Sequence, residues 1–266
     1  MDFVKMEGLG NDFVVFGGPF DPSPAQVADW CDRRRGIGAD GVLVVTPVDA
    51  GTVSMGYWNA DGSAAEMCGN GLRCVALYAV THGMVPGPEV TVDTPVGPRS
   101  TVVRDGTVRA QLGPVAVSGD PVELIGYRLE RVDVGNPHAV AFVSDTGAVP
   151  VGAAGPLVEG DPAFPDRTNV EFATVVAPDR IDLRVWERGV GETLACGTGA
   201  AATVAAAIHR GLTDPKVTVM LPGGPLLVEI IEGEAWIEGP AREVFSGTIV
   251  FPRLPGGVPR RGEGGS

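Results

Sequence analysis

VSMGYWNADGSAAEMCGNGLRCVALYAVTHG at 53–83 and IDLRVWERGVGETLACGTGAAATVAAAIHRG at 181–211 decide how this chain is read. Laid side by side they set Trp58 on Trp186, Cys68 on Cys196 and Gly83 on Gly211, each pair 128 positions apart. Val53, Met55 and Tyr57 fall on Ile181, Leu183 and Val185, the alternate positions of one strand face. The match continues outward at an offset of 127, with VTVDTPVGP (90–98) on VTVMLPGGP (217–225), and at 125, with Gly10-Asn11 on Gly135-Asn136. A shared order of strands, one helix and strands marks an internal repeat. It implies an α+β fold of two similar pseudo-symmetric domains, each a mostly antiparallel sheet wrapped around a central helix. The expected division is 1–118 with Cys68 and 119–252 with Cys196, the last strand being free to return to the first domain. The boundary rests on the Pro/Gly/Ser-punctuated stretch from Pro114 to Gly126, and 253–266 reads as a disordered tail.

In each half the pattern is Cys-Gly-polar-Gly: Cys68-Gly69-Asn70-Gly71, then Cys196-Gly197-Thr198-Gly199. Both run straight into an apolar helical segment. Glycine lets backbone N–H groups come close to a ligand. The first N–H groups of a helix have no partner inside it and lie at the positive end of its dipole. An anion binds there readily, and a cysteine there is expected to gain thiolate character. One such motif is weak, because a buried cysteine is often only a small hydrophobe; two in matching places carry more. If the halves pack face to face, both helix starts point into one interdomain cleft, a frequent ligand site. A Cys–His hydrolase asks for one nucleophile and one base. A duplicated sulfur suits a nearly symmetric reaction instead: inversion of a carbon, with one group taking a proton from one face and the other delivering one to the opposite face. The plainer alternative is shared ancestry without a shared site.

Composition narrows the classes. The 266 residues allow one large domain or two smaller ones, with 44% hydrophobic and 20% charged residues. Gly 39 and Pro 23 favour turns and short strands. A net charge of −13 argues against nucleic acid or an anionic membrane as partner. No apolar run reaches the roughly 18–20 residues that span a bilayer, and no secretory signal is visible, so the expected location is cytoplasmic. The four cysteines, 31, 68, 74 and 196, form no Cys-x-x-Cys pair, which disfavours a zinc site.

Along the chain, MDFVKMEGLGNDFVVF reads as strand, turn, strand, with Asn11 in the turn. SPAQVADWCDRR is a short helix capped by Ser23 with Pro24 at its first position. GIGADGVLVVTP is a glycine turn and a buried strand; its G-x-G lacks the rest of a nucleotide fingerprint. The two long helices are expected to stop at His82-Gly83 and near His209-Arg210-Gly211. Asn136 and His138 lie at a strand turn, and the stretch from Ser144 to Asn169 reads as a Pro/Gly-rich loop holding one helical turn.

The segments KMEGLGNDFVV, GIGADG, NADGSAAEMCGNGLRC, VGNPHAV, RTNVEF, RVWERGVGETLACGTGA and LPGGPL resemble the diaminopimelate epimerase family, over nearly the whole chain to about residue 251. The pairing of ERG-x-GET-x-ACGTG with NADGS…MCGNG sets that family apart from the proline racemases, which share its fold and cysteine pair. The resemblance implies an epimerase without cofactor or metal, interconverting LL- and meso-2,6-diaminoheptanedioate on the route to lysine and peptidoglycan. Cys68 and Cys196 would be its acid/base pair. It implies substrate contacts from Asn11, Asn59, Asn136, Asn169, Glu187 and Arg188, and from backbone groups of Gly69-Asn70 and Gly197-Thr198. His138 and Glu187 would tune the cysteine pKa values. Gly41 stands where some members carry Gln, so that contact is open. The expected partner is the small-molecule substrate, with no nucleic acid and no membrane, and with a homodimer left open. Two alternatives stand beside this reading: a proline or hydroxyproline racemase, and a catalytically silent binding protein on the same fold.

Overall fold

The computed structural model describes residues 1–65 and 68–250; the expected tail at 253–266 lies outside the described residues, as do the two residues before Cys68. The first half runs β1 (Asp2–Gly8), β2 (Asn11–Gly17), α1 (Pro24–Cys31), β3 (Gly41–Pro47), β4 (Thr52–Asn59), α2 (Gly69–Thr81), β5 (Glu89–Thr94), β6 (Gly97–Arg104) and β7 (Thr107–Pro114). Two short strands follow, β8 (Ala116–Val117) and β9 (Val122–Leu124). The second half runs β10 (Tyr127–Asp133), β11 (Pro137–Phe142), α3 (Val151–Glu159), β12 (Asn169–Ala177), β13 (Arg180–Glu187), β14 (Gly191–Thr193), α4 (Gly197–His209), β15 (Lys216–Leu221), β16 (Gly224–Ile231), β17 (Glu234–Pro240) and β18 (Arg242–Thr248).

The repeat read from the sequence is a repeat of pairing. β1 and β2 are antiparallel, β2 and β3 parallel, β3 and β4 antiparallel, β4 and β5 parallel, and β5–β6–β7 antiparallel. β10, β11, β12, β13, β15, β16 and β17 follow the same order of senses. A parallel pairing needs a crossover, and each one here spans a helix: α1 and α2 in the first half, α3 and α4 in the second. The halves are also stitched together, because β7 pairs with β17 and β18 returns to pair with β1.

The central helices owe their stability to packing rather than to propensity. Glycines in the first turn of α2 cost about 1 kcal/mol each relative to alanine. Leu72, Val75 and Ala76 are fully buried, and burial of a Val or Leu contributes about 1.5–3 kcal/mol. α4 is apolar around nearly its whole circumference, as a helix enclosed by its own sheet must be. Both helices stop where expected, at a cap residue followed by a glycine of positive φ, Gly83 and Gly211. Ser23 caps α1 in a reciprocal capping box with Gln26.

Two stretches differ from the sequence reading. The loop expected after Ser144 contains the nine-residue helix α3, with Pro156 inside it. Its glycines and proline concealed a helix held by packing, in which Gly155 lies close against the Trp186 ring, where a Cβ would collide. The punctuated stretch 114–126 is not open chain either: β8 and β9 both pair with β10.

Candidate active site

Cys68 and Cys196 occupy the same place in the two halves. Each is the N-cap of a central helix with extended backbone, and each sulfur accepts the N–H three residues on, from Gly71 at 3.5 Å and Gly199 at 3.4 Å. The two helices meet at their first residues. A Cβ built on Gly69 would lie 3.5 Å from the Gly197 Cα, and one on Gly197 would lie 3.5 Å from the Gly69 Cα. Ile237 on β17 fills the space beneath both glycines. A Cβ at either glycine would be in ordinary contact with the other helix start and would press on the Ile237 side chain, so little space is left between them. With consecutive Cα atoms about 3.8 Å apart, the Cys68 and Cys196 Cα atoms are no more than roughly 13 Å from each other.

Polar side chains cross this junction. Asn70 donates to the Ala195 carbonyl at 3.1 Å, one residue before Cys196, and to Asn11 Oδ1 at 3.4 Å. The same Asn11 oxygen accepts from Cys68 Sγ at 3.5 Å. Asn11 is held from behind by Asp40, which accepts its Nδ2 at 2.9 Å. On the other side Thr198 Oγ1 lies 3.4 Å from Cys196 Sγ. Glu187 is tied to Thr193 Oγ1 at 2.5 Å, and its carboxyl acts on the charge of both thiols. His138 is fully enclosed, with Nδ1 2.7 Å from Glu171 Oε1 and Nε2 3.0 Å from Asn136 Oδ1. Asn169 accepts the Arg188 N–H at 2.9 Å and donates to the Pro137 carbonyl at 3.0 Å, setting the loop that carries the exposed Arg188.

Of the residues singled out in the sequence, Asn59 stands apart: its amide is bonded to Ser63 Oγ within its own loop. Gly41 has no room for a side chain, since a Cβ there would lie 2.6 Å from the Trp58 carbonyl oxygen and 2.9 Å from the Tyr57 ring. A Gln would need β4 displaced. A cavity of about 340 Å³, walled in part by Asn136, His138, Asp166 and Arg167, opens beside the second-half cluster, and neither cysteine lines it. The thiols lie instead at the closed junction of the helices.

The expectation of lowered thiol pKa values is corrected here. Burial pushes Cys68 up to about 11; the Gly71 and Asn70 N–H groups and Arg73 pull the other way, and Glu187 adds to the rise. Cys196 is raised well above an ordinary thiol by burial and then by Glu187 and Glu171, against the Thr198 and Gly199 bonds. Two N–H bonds at a helix start do not offset removal from water. The carboxyls of Glu187 and Glu171 are themselves raised, by burial first.

Three residues escaped the sequence reading. Glu171 was quoted within RTNVEF yet given no role; a carboxylate two positions from Asn169, on the same strand face, amid an apolar strand, was the available signal. Asp40 orients Asn11. Arg73, fully buried, bonds to the carbonyls of Gly69 and Pro240 and to Asn70 Oδ1.

The family model described as diaminopimelate epimerase matches residues 3–118 and 131–244. A diaminopimelate epimerase of Pelotomaculum thermopropionicum is 46% identical, covering 94% of this chain and 99% of its own. One from Desulforudis audaxviator is 43% identical with the same coverage. Among solved structures, a hydroxyproline epimerase from Agrobacterium vitis superposes with a TM-score of 0.72 at 18% identity, over 93% of this chain and 91% of that one. A PhzF-family phenazine biosynthesis protein from Bacillus anthracis reaches 0.73 at 12%, over 94% and 99%. These two share the fold. With the family model and the relatives spanning both cysteine motifs, the chain belongs to the diaminopimelate epimerase family.

Proposed function

We infer that this chain interconverts LL- and meso-2,6-diaminoheptanedioate, with Cys68 and Cys196 as the two proton-transfer groups. The single observation that supports this most is the contact of Gly69 with Gly197, which sets two N-cap sulfurs on either side of one junction. One sulfur, as thiolate, takes the α-proton from one face of the substrate carbon. The electron pair left behind spreads into the adjacent carboxylate, which gains enolate-like charge. The N–H groups of Gly69-Asn70 and Gly197-Thr198, in the first turns of the two helices, are candidates to stabilise that charge. The other sulfur, as thiol, gives its proton to the opposite face, and the roles exchange in the reverse direction. Because burial raises both thiols, the substrate ammonium is a natural counter-charge for the thiolate as it forms.

Asn11, Asn136 and Asn169 supply amide donors and acceptors around the junction. Arg188 suits the carboxylate at the far end, and Asn59 joins the contacts once Ser63 releases it. A division at 118/119, a cytoplasmic location and a homodimer belong to the same reading. Among the described residues no helix is long and apolar enough to cross a membrane. β18 pairs only with β1 among the described strands and exposes Val244 and Phe245, an edge of the kind that a second copy covers.

The direct test is incubation in deuterated water with LL- or meso-diaminoheptanedioate, and separately with proline and hydroxyproline. Inversion with α-deuterium uptake is expected for the first pair only, and is expected to survive dialysis against a chelator. Exchange with proline alone would move the assignment to the racemases. A second expectation concerns Arg188→Met. Losing one charge-assisted bond, worth about 1.5–3 kcal/mol, is expected to raise KM roughly 10- to 100-fold and to change kcat much less. An unchanged KM would remove Arg188 from the binding contacts.

A further inference from the structure

The two half-sites are alike in backbone and unlike in charge. In the first half, Phe13 on β2 pairs with Gly41, and Leu43 follows two residues on in β3. In the second, His138 on β11 pairs with Asn169, and Glu171 follows two residues on in β12. The residues beneath the two helix starts correspond in the same way. A Cβ on Gly71 would meet Leu43 Cδ2 at 3.4 Å; a Cβ on Gly199 would meet Glu171 Oε1 at 2.7 Å and Cys196 Sγ at 3.3 Å. An apolar Phe13–Leu43 pair below Cys68 is therefore replaced, below Cys196, by a buried imidazole–carboxylate pair. Two further breaks of symmetry point the same way. Arg73 sits one turn into α2, whereas its repeat partner in α4 is Ala201. Asn59, at the end of β4, is matched by Glu187 at the end of β13.

We propose that Glu171, acting with His138, makes the two half-sites unequal and keeps the resting proton of the cysteine pair on Cys196, so that Cys68 is the sulfur that ionises first. This rests on the two-base reading above and says how its two sulfurs come to differ. The groups facing Cys196 are Glu171 from β12, Glu187 from β13, Thr198 and the Gly199 N–H from α4, with His138 of β11 behind Glu171. Those facing Cys68 are Asn11 from β2, Tyr57 from β4, the Asn70 and Gly71 N–H groups and Arg73 from α2, and Glu187 across the junction, with Glu7 near Arg73. Cys68 thus has one carboxyl and a guanidinium near it, and Cys196 has two carboxyls. His138 turns its ring nitrogens to two oxygens, Glu171 Oε1 and Asn136 Oδ1. The ring bridges the two and fixes the Glu171 carboxyl beneath Gly199, beside Cys196. Glu171 Oε2 is buried without a hydrogen-bond partner. Both Glu187 and Glu171 push the Cys196 thiol up, after burial, whereas for Cys68 Glu187 adds to the rise and Arg73 opposes it.

The test reads each sulfur separately. The full chain is alkylated with iodoacetamide over a pH series, and the rate at each cysteine is followed by peptide mass spectrometry. Only the thiolate displaces iodide, so the pH midpoint of each rate reports ionisation whatever the access. In the unaltered protein Cys68 is expected to have the lower midpoint. In Glu171→Gln the Cys196 midpoint is expected to fall by about one pH unit, with the Cys68 midpoint little changed. Coincident or reversed midpoints in the unaltered protein, which need no variant, overturn the proposal, as does a Cys196 midpoint that ignores Glu171→Gln. Because burial disfavours the Glu171 charge, Gln at this place is expected to fold. The reading is also independent of substrate. A chain alkylated in this order that inverts no diaminoheptanedioate would sink the functional assignment and leave this inference standing.

Discussion

Replacing either Cys68 or Cys196 by alanine is expected to end inversion while leaving the fold in place. A positioned acid or base contributes about 10²- to 10⁴-fold, and inversion needs one on each face, so each single variant is expected to fall by at least roughly 10³-fold. The structural cost is small. Each side chain is a single thiol, and the deletion removes about one methylene's worth of packing, near 0.8 kcal/mol. The melting temperature should therefore move by a few degrees at most, for about 2–4 °C per kcal/mol in a chain of this size. The two variants should also differ in a telling way. With one sulfur left, an α-proton can still be removed from the face that sulfur sees and then returned to it. In deuterated water each variant is then expected to exchange the α-proton of one stereoisomer without inverting it, and the two variants should prefer opposite isomers. Inversion near the normal rate in either variant would end the two-base scheme.

The repeat, and with it the fold, was legible because both halves keep the same residue types where the backbone demands them: a cysteine N-cap, a first-turn glycine, alternating apolar strand residues and a stop glycine. α3 was not legible. Its Gly155 and Pro156 are loop signals locally, while the helix is held by packing: Val151, Ala154 and Val158 are buried and Gly155 lies close against Trp186, distant in sequence. The short strands β8 and β9 were not legible either, being too short to show a period and pairing with β10. In the site, the cysteines and most of the asparagines could be read from motifs. The direction of the thiol shifts could not. A helix start is visible in sequence, but the depth at which it is buried is a property of the assembled sheet, and here that depth decides the sign. Glu171 was hidden by the same logic: its meaning comes from His138 on the neighbouring strand and from Gly199 on the helix above, not from its own flanks.

Gly223→Ala is expected to be strongly damaging for so small a substitution. The β1–β2 turn of the first half, Leu9-Gly10, is wedged against the second half. Leu9 has a positive φ of 56°, and a Cβ on Gly10 would lie 2.7 Å from Leu194 Cδ1. Gly223 forms the other wall. Its N–H bonds to the Leu194 carbonyl at 2.8 Å, and a Cβ there would run into the Leu9 carbonyl oxygen, with the Leu194 carbonyl at 3.1 Å. Both obstacles are backbone, so no side-chain rotation relieves them, and the turn itself must move. Overpacking of this kind costs about 1–3 kcal/mol, which should lower the melting temperature by roughly 3–10 °C. Activity should suffer beyond that, because Asn11 follows the turn directly and its carbonyl oxygen meets both Cys68 and Asn70. The matched control is Gly152→Ala in α3, where a Cβ meets nothing within 4 Å. There the helix should gain about 0.5–1 kcal/mol from the better helix former, with kcat/KM unchanged. If Gly223→Ala melts and turns over like the control, the turn is not wedged as the geometry has it, and the first half's hold on Asn11 must come from Asp40, Cys68 and Asn70 rather than from the turn.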